Sequence, residues 1–208
     1  MSDAAARLEA EFLSRFDAAH LADVEQFRLM LARANERMNL VGASTLGDFQ
    51  RRHFLDSAQL LDLAPKARKW ADLGSGAGLP GLILAILLKG EAGARVHLVE
   101  STTKKCRFLS EVAAELALPA EVHNARAELL RLSVEVVTAR ACAPLTRLLG
   151  YAKPYLDRGA KGLFLKGEEV DTEIREARES WRFAVQIHPS LSDERGRIVE
   201  VSELQRGG

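Results

Sequence analysis

Two cysteines, no net charge and no long apolar run set the first limits on this chain. Cys106 and Cys142 are too few for a disulfide framework and lack the spacing of a metal site, so a reducing compartment is expected and no metal centre is. The 29 basic and 29 acidic side chains cancel, which removes any overall attraction to polyanions and leaves nucleic-acid contact to local patches. The longest apolar run, 82–88, is far too short to span a bilayer, and the polar, helix-like opening 1–10 has no signal-peptide pattern. A soluble, cytoplasmic protein with no membrane partner is the expectation. No internal repeat or low-complexity tract interrupts the chain, and 208 residues can bury one α/β core with a modest extension.

What is present divides near Pro65. From about residue 5 to 63 apolar residues recur at helical spacing (Leu8, Phe12 and Phe16; Val24, Phe27 and Leu31; Phe54, Leu55, Ala58 and Leu61), which predicts three helices. Asn39-Leu40-Val41-Gly42-Ala43-Ser44 reads as a loop after the second, with Ser44 or Thr45 able to cap the third. Beyond Pro65 short β-like runs alternate with helices. Strands are expected at 69–73, 95–100, 121–124, 134–138, 162–166, 183–187 and 197–201, with helices at 80–89, 102–117, 127–131, 144–156 and 168–180. Alternation predicts a parallel sheet covered on both faces, and the last two strands, joined by a segment with Pro189 and Gly196, read as a hairpin. That combination fits an α/β, Rossmann-like class I methyltransferase fold: a mostly parallel seven-stranded sheet with an antiparallel terminal hairpin in 65–208, behind an N-terminal helical cap in 1–64.

The turn Asp72-Leu73-Gly74-Ser75-Gly76-Ala77-Gly78 lies between the first strand and the next helix. Glycines accept positive φ and let a ligand approach the backbone, while the helix start offers unpaired N–H groups. A dinucleotide turn wants its third glycine where Leu79 stands. Asp72 would repel a pyrophosphate but can contact the cationic aminopropyl end of S-adenosylmethionine, which makes that molecule the expected cofactor. Glu100, ending the second strand, can accept hydrogen bonds from both ribose hydroxyls of an adenosine. Ala127 and Glu128, after the third strand, can meet an adenine edge, although Glu128 also suits an ordinary first-turn helix acid. Arg140 is a charge on a small, apolar strand end at the sheet edge where ligands bind in such folds. Basic groups flank these segments: Lys66, Arg68 and Lys69; Lys104, Lys105 and Arg107; Arg51, Arg52 and His53.

Other absences narrow the chemistry. No Asn or Asp followed by Pro-Pro and an aromatic is present to orient an exocyclic amine, and Cys142 sits between alanines rather than after a proline, so it reads as a small buried residue and not a nucleophile. The remaining classes are an RNA methyltransferase, a small-molecule methyltransferase using the cap as a lid, a nicotinamide oxidoreductase disfavoured by Asp72 and Leu79, and a non-catalytic RNA-binding protein.

Asn39-Leu40-Val41, Arg52-His53-Phe54-Leu55-Asp56-Ser57, the turn continued by Leu79-Pro80-Gly81, Glu100-Ser101 with Lys105 to Leu109, Ala139-Arg140-Ala141 and Leu165-Lys166-Gly167 together resemble the bacterial 16S ribosomal RNA guanine-N7 methyltransferases, the RsmG or glucose-inhibited division protein B family. The resemblance implies methyl transfer from S-adenosylmethionine to N7 of a guanosine in the decoding-region loop of 16S rRNA, on the RNA or on a small-subunit assembly particle, by a monomer. It implies that Gly74 and Leu79 line the cofactor pocket, that Ala127 and Glu128 face the adenine, and that Arg140 lies between cofactor and target base; the turn and strand ends themselves add Asp72, Gly76 and Glu100 to the cofactor side. His53, Asp56 and Lys166 match motif positions; with Lys104 and Lys105 they are the candidates for the RNA side. Guanine N7 has an in-plane lone pair and no proton, which accounts for motif loops without an acid-base dyad.

Overall fold

A computed structural model describes residues 12–207; the start of the first expected helix, with Leu8, lies outside them. Helix α1 (Ala18–Met38) opens on Asp17, whose side chain accepts the His20 N–H, and closes on Asn39 in the left-handed conformation (φ 47°). Asn35 then fixes the loop, donating to Val41 O at 3.0 Å and accepting from Val41 N at 2.9 Å.

The third expected helix is broken. It is a chain of short pieces, α2 (Ala43–Leu46), a π-helical turn (Gln50–Leu55), α3 (Asp56–Ala58) and α4 (Leu60–Leu63). A π turn admits an extra residue into the helical repeat, which apolar periodicity does not reveal, and such turns gather at functional sites.

Seven strands follow: β1 (Lys69–Leu73), β2 (Arg95–Glu100), β3 (Ala120–Asn124), β4 (Val136–Arg140), β5 (Lys161–Lys166), β6 (Trp181–Pro189) and β7 (Arg197–Arg206). Their order is β3-β2-β1-β4-β5-β7-β6, with β7 antiparallel to both neighbours and the remainder parallel. The mostly parallel sheet and the terminal hairpin are therefore both present. β4 starts and ends two residues later than expected, because Ala139 and Arg140 continue the ladder opposite Phe164 and Leu165. The expected helix at 127–131 is one 3-10 turn (Ala127–Leu129), held by Tyr155 Oη donating to Ala127 O at 3.0 Å.

Strand alternation sends side chains to two apolar layers. On one face Trp70, Val96, Leu98 and Val136 pack with α1, α5 (Gly81–Leu87) and α6 (Thr103–Glu115), and Phe27, Leu31 and Phe54 of the first 63 residues share that core. On the other face Ala71, Leu73, Val99 and Val137 pack with α7 (Leu145–Leu156) and α8 (Val170–Arg178). Among the described residues no helix is long and apolar enough to cross a membrane.

A candidate ligand site at the topological switch point

The strand order reverses between β1 and β4, and a crevice opens at the carboxyl ends of strands where such a reversal occurs. Asp72, Glu100 and Arg140 all come from the carboxyl ends of β1, β2 and β4.

The turn between β1 and α5 is held by its own backbone. Gly74, Gly76 and Gly78 take φ of 70°, 54° and 87°. The N–H groups of Gly74 and Ser75 both donate to Val99 O, at 2.8 and 3.0 Å, tying the turn to the end of β2. Glu100 is 6 % exposed and accepts from Gly76 N at 3.0 Å and Thr102 N at 2.7 Å. A carboxylate has about four lone-pair sites, so two remain for a ligand. At Gly76 a Cβ would meet only Gly74 O, at 3.6 Å, so this side of the turn is open. Gly81 is crowded instead: a Cβ would fall 2.4 Å from Leu98 Cδ2 and 2.6 Å from Asp72 Oδ2.

Asp72 is fully buried. Its Oδ2 accepts Gly81 N at 3.1 Å, but its Oδ1 has no hydrogen-bond partner. Burial pushes its pKa up to about 7, against the smaller opposing pull of the Gly81 hydrogen bond and the Arg140 charge. Directly opposite in the β1–β4 register stands Thr138, buried, with an equally unpartnered Oγ1. Unpaired buried polar atoms are costly, and two side by side at a switch point mark a place that a ligand donor or a bridging water completes. Thr138 was missed by sequence reasoning; its signal was a hydroxyl inside an otherwise apolar strand.

Arg140 points to the same face as Thr138, two residues on, and is caught by the π turn. It donates to Arg52 O at 2.9 Å, pairs with Asp56 Oδ2 at 3.2 Å and lies 3.1 Å from His53 Nδ1. His53 Nε2 is 3.0 Å from Thr45 Oγ1, so both ring nitrogens are engaged, and the ring is 3 % exposed. Burial, then the Arg140 charge, lowers its pKa to about 4, which keeps it neutral near pH 7. Asp56 Oδ1 accepts Ser192 Oγ at 2.7 Å, and Arg51 Nε donates to Ser192 O at 2.7 Å. The His53-x-x-Asp56 element thus joins the end of β4 to the β6–β7 loop. Asp48, Arg51, Arg52, Ser192, Asp193, Glu194 and Arg195 line a cleft of about 380 Å³ beside it.

The other expected site residues lie around this centre at different distances from solvent. Leu79 is 4 % exposed and packs in the apolar layer below the turn, while Ala127 is buried and Glu128 half-buried in the 3-10 turn. Lys166 is turned inward, donating to Ala143 O at 2.8 Å and pairing with Glu173 at 2.7 Å; the same Glu173 oxygen accepts Leu145 N at 2.6 Å. Lys166 and Glu173 therefore clamp the loop that follows Arg140, a role no spacing in the sequence revealed. Lys104 and Lys105 begin α6, where Lys104 reaches Arg37 O at 3.3 Å.

The site as built offers a polar ligand an open glycine turn at Gly76, two free lone-pair sites on Glu100 and the unpartnered oxygen of Asp72, with the Arg140 guanidinium held beside it by Arg52, His53 and Asp56. Comparison with known proteins shows what the chain as a whole is similar to. The family model described as "GidB: rRNA small subunit methyltransferase G" matches residues 20–198. A protein named ribosomal RNA small subunit methyltransferase G from Caulobacter vibrioides is 61 % identical over 188 residues, covering 90 % of this chain and 87 % of the relative. One of the same name from Methylorubrum populi is 50 % identical over 171 residues, covering 81 % of each. Among solved structures, a SAM-dependent methyltransferase from Aquifex aeolicus aligns at TM-score 0.56 and 17 % identity over 76 % of this chain and 95 % of that one. The magnesium protoporphyrin IX methyltransferase of Synechocystis, with bound SAM, aligns at TM-score 0.55 and 15 % identity over 90 % and 100 %. These last two show likeness of fold.

Proposed function

The chain belongs to the rRNA small subunit methyltransferase G family, and from that premise we propose that it transfers the methyl group of S-adenosylmethionine to N7 of one guanosine in the decoding-region loop of 16S ribosomal RNA. The observation that carries the reading is the family match over residues 20–198; the unpartnered buried atoms Asp72 Oδ1 and Thr138 Oγ1, below a glycine turn that is open at Gly76 and bonded to Glu100, fit a site for the cofactor.

Bound there, S-adenosylmethionine supplies a sulfonium methyl that passes to the N7 lone pair as its S–C bond breaks, leaving a neutral thioether and a cationic purine. Glu100 accepts the ribose hydroxyls on its two free lone-pair sites. Gly74 and Leu79 line the pocket, Ala127 and Glu128 border the adenine, and Asp72 offers its free oxygen to the aminopropyl end. Arg140, a permanent cation, is unsuited to lie under a ring that becomes cationic; its partner is an oxygen of phosphate, guanine O6 or the donor's carboxylate. His53 and Asp56 act through Arg140 by holding its guanidinium, and Lys166 with Glu173 fixes the loop behind it.

No general base is required, because N7 has no proton to lose, and positioning supplies the rate. His53, neutral and with both nitrogens bonded, suits that scheme. N7 lies in the deep, narrow groove of regular RNA helices, so the target guanosine is unpaired or irregularly paired. We take residues 1–64 as a cap, 65–208 as the catalytic domain, and the protein as a cytoplasmic monomer whose Lys104 and Lys105 meet RNA phosphates.

The test is incubation with labelled S-adenosylmethionine and, separately, deproteinised small-subunit RNA and small subunits from cells lacking the enzyme. Label in 7-methylguanosine at one position is expected. Label in another nucleoside, or none in either substrate with the cofactor bound, overturns the proposal.

A further inference from the structure

Away from the switch point, His97 on β2 and Glu121 and His123 on the edge strand β3 converge on one patch. Val96 and Leu98 turn toward the α1 face of the sheet, so His97 turns to the other; parallel register sets Glu121 beside it and His123 beside Val99, on the same side. His97 Nδ1 and His123 Nε2 are 2.9 Å apart, and they lie 3.6 and 3.7 Å from the Glu121 carboxylate oxygens.

We propose that His97, Glu121 and His123 form a binding site for a divalent transition metal, with zinc(II) the best-matched ion. Tetrahedral zinc with ligands at about 2.0–2.1 Å separates neighbouring donor atoms by roughly 3.3 Å; the two nitrogens are 2.9 Å apart, and each lies 3.6 or 3.7 Å from one oxygen of Glu121, Oε2 for His97 and Oε1 for His123, with one donor atom from each residue within 4.8 Å of the others. Two imidazoles and a carboxylate are a borderline-soft donor set suited to zinc rather than to magnesium or calcium. The Glu121 side chain is 48 % exposed and those of His97 and His123 are 9 % and 16 %, so the ligands are packed on one side and open to water on the other, leaving an entry path and a fourth position for solvent. Without metal, one of the two facing nitrogens carries the proton of their shared hydrogen bond. Binding requires both bare, which a tautomer shift moving that N–H to the ring's outer nitrogen achieves. Arg95 opposes the ion, lying 3.3 Å from Glu121 Oε2.

The consequence is mechanical. An occupied site ties the edge strand to β2 one residue before Asn124, whose amide donates to Glu100 O at 3.3 Å and Ser101 O at 3.0 Å, and so braces the end of β2 that carries Glu100. This does not rest on the proposed RNA target.

Chelator-treated full-length protein is titrated with zinc by calorimetry and with cobalt(II), whose visible d–d absorption reports tetrahedral nitrogen and oxygen ligation. One equivalent and a zinc-dependent rise in Tm are expected. His123→Gln and Glu121→Gln each weaken binding by about 100-fold or more, Arg95→Gln tightens it about threefold, and His188→Gln and His20→Gln change nothing. Absence of saturable binding by the unsubstituted protein, or binding that survives His123→Gln and Glu121→Gln while each variant keeps its metal-free Tm, overturns the assignment.

Discussion

The two halves of the ligand site are made of different material. Around the glycine turn the bonds join near neighbours in sequence: Thr102 and Glu100 are two residues apart, Gly81 and Asp72 nine, Gly76 and Glu100 24. In each the donor is a backbone N–H. Around Arg140 the bonds reach 84 residues to Asp56, while Ser192 is 136 from Asp56 and 141 from Arg51, and side chains supply most of the contacts. Backbone-built sites are insensitive to most substitutions and intolerant at glycine; side-chain hubs depend on every partner being the right residue in the right place. The two halves also hold opposite charge problems. Asp72 is a carboxylate short of donors, pushed up to about 7, and His53 is an imidazole beside a cation, pushed down to about 4.

The largest expected effect separates the halves by pH. Asp72 ionises near pH 4 in the unfolded chain and near 7 in the folded one, so its contribution to stability is full below about pH 4, falls as pH rises, and is gone above about 7. Asp72→Asn keeps an oxygen for Gly81 and removes that slope, so the variant gains on the parent by on the order of 4 kcal/mol between pH 4 and pH 8. Urea unfolding at several pH values measures it; parallel curves would place the free carboxylate oxygen in contact with water. On the proposed contact with Asp72, bound S-adenosylmethionine would favour the ionised form, so its binding at pH 7 should release protons, visible by calorimetry in buffers of different ionisation enthalpy.

His53 runs the other way. Its folded pKa lies below the unfolded 6.5, so its contribution is full above about 6.5 and is lost as pH falls through about 4. His53→Gln should flatten this acid-side loss, worth about 3 kcal/mol, and leave the alkaline slope due to Asp72 untouched. If both slopes changed together, the halves would be one coupled unit.

Next in size is Arg140→Ala. Loss of a positioning cation lowers kcat about 100-fold, while the Kd for S-adenosylmethionine shifts severalfold at most because the turn and Glu100 remain. Equal kcat and Kd in variant and parent would remove Arg140 from the site.

What could be read from the sequence follows the same division. The sheet, its hairpin and the turn were legible because periodicity and glycine placement are local signals; the turn that follows Asp72 meets the end of β2 through the Gly76–Glu100 bond. The π turn was not, because one inserted residue leaves apolar spacing nearly intact. Nor were Thr138, Glu173 and Ser192, whose importance lies in partners brought together by the fold. His53 and Asp56 stood out as a motif, but a motif does not say that one neighbour is Arg140 and another a serine 136 residues away.

The smallest effect tests whether the hub's outer rim is structural or electrostatic. Asp193 pairs with Arg52 at 3.1 Å with the two side chains 28 % and 45 % exposed, and it also accepts Arg195 N at 2.9 Å. An exposed pair of this kind contributes about 0–1 kcal/mol, and the loop keeps its inner ties through Ser192 to Asp56 and Ser190 to Gln59. Asp193→Asn should therefore lower stability by less than about 0.5 kcal/mol. Three arginines and three acids line the adjoining cleft, so removing one negative charge makes it net positive. If RNA passes over this rim, its KM falls about twofold at low salt, kcat is unchanged, and the gain fades as salt approaches physiological strength. A KM equal to the parent's at low salt would instead turn the cleft away from the RNA and leave Arg51 and Arg52 as braces of the β6–β7 loop, which would make the hub a purely internal device for aiming Arg140.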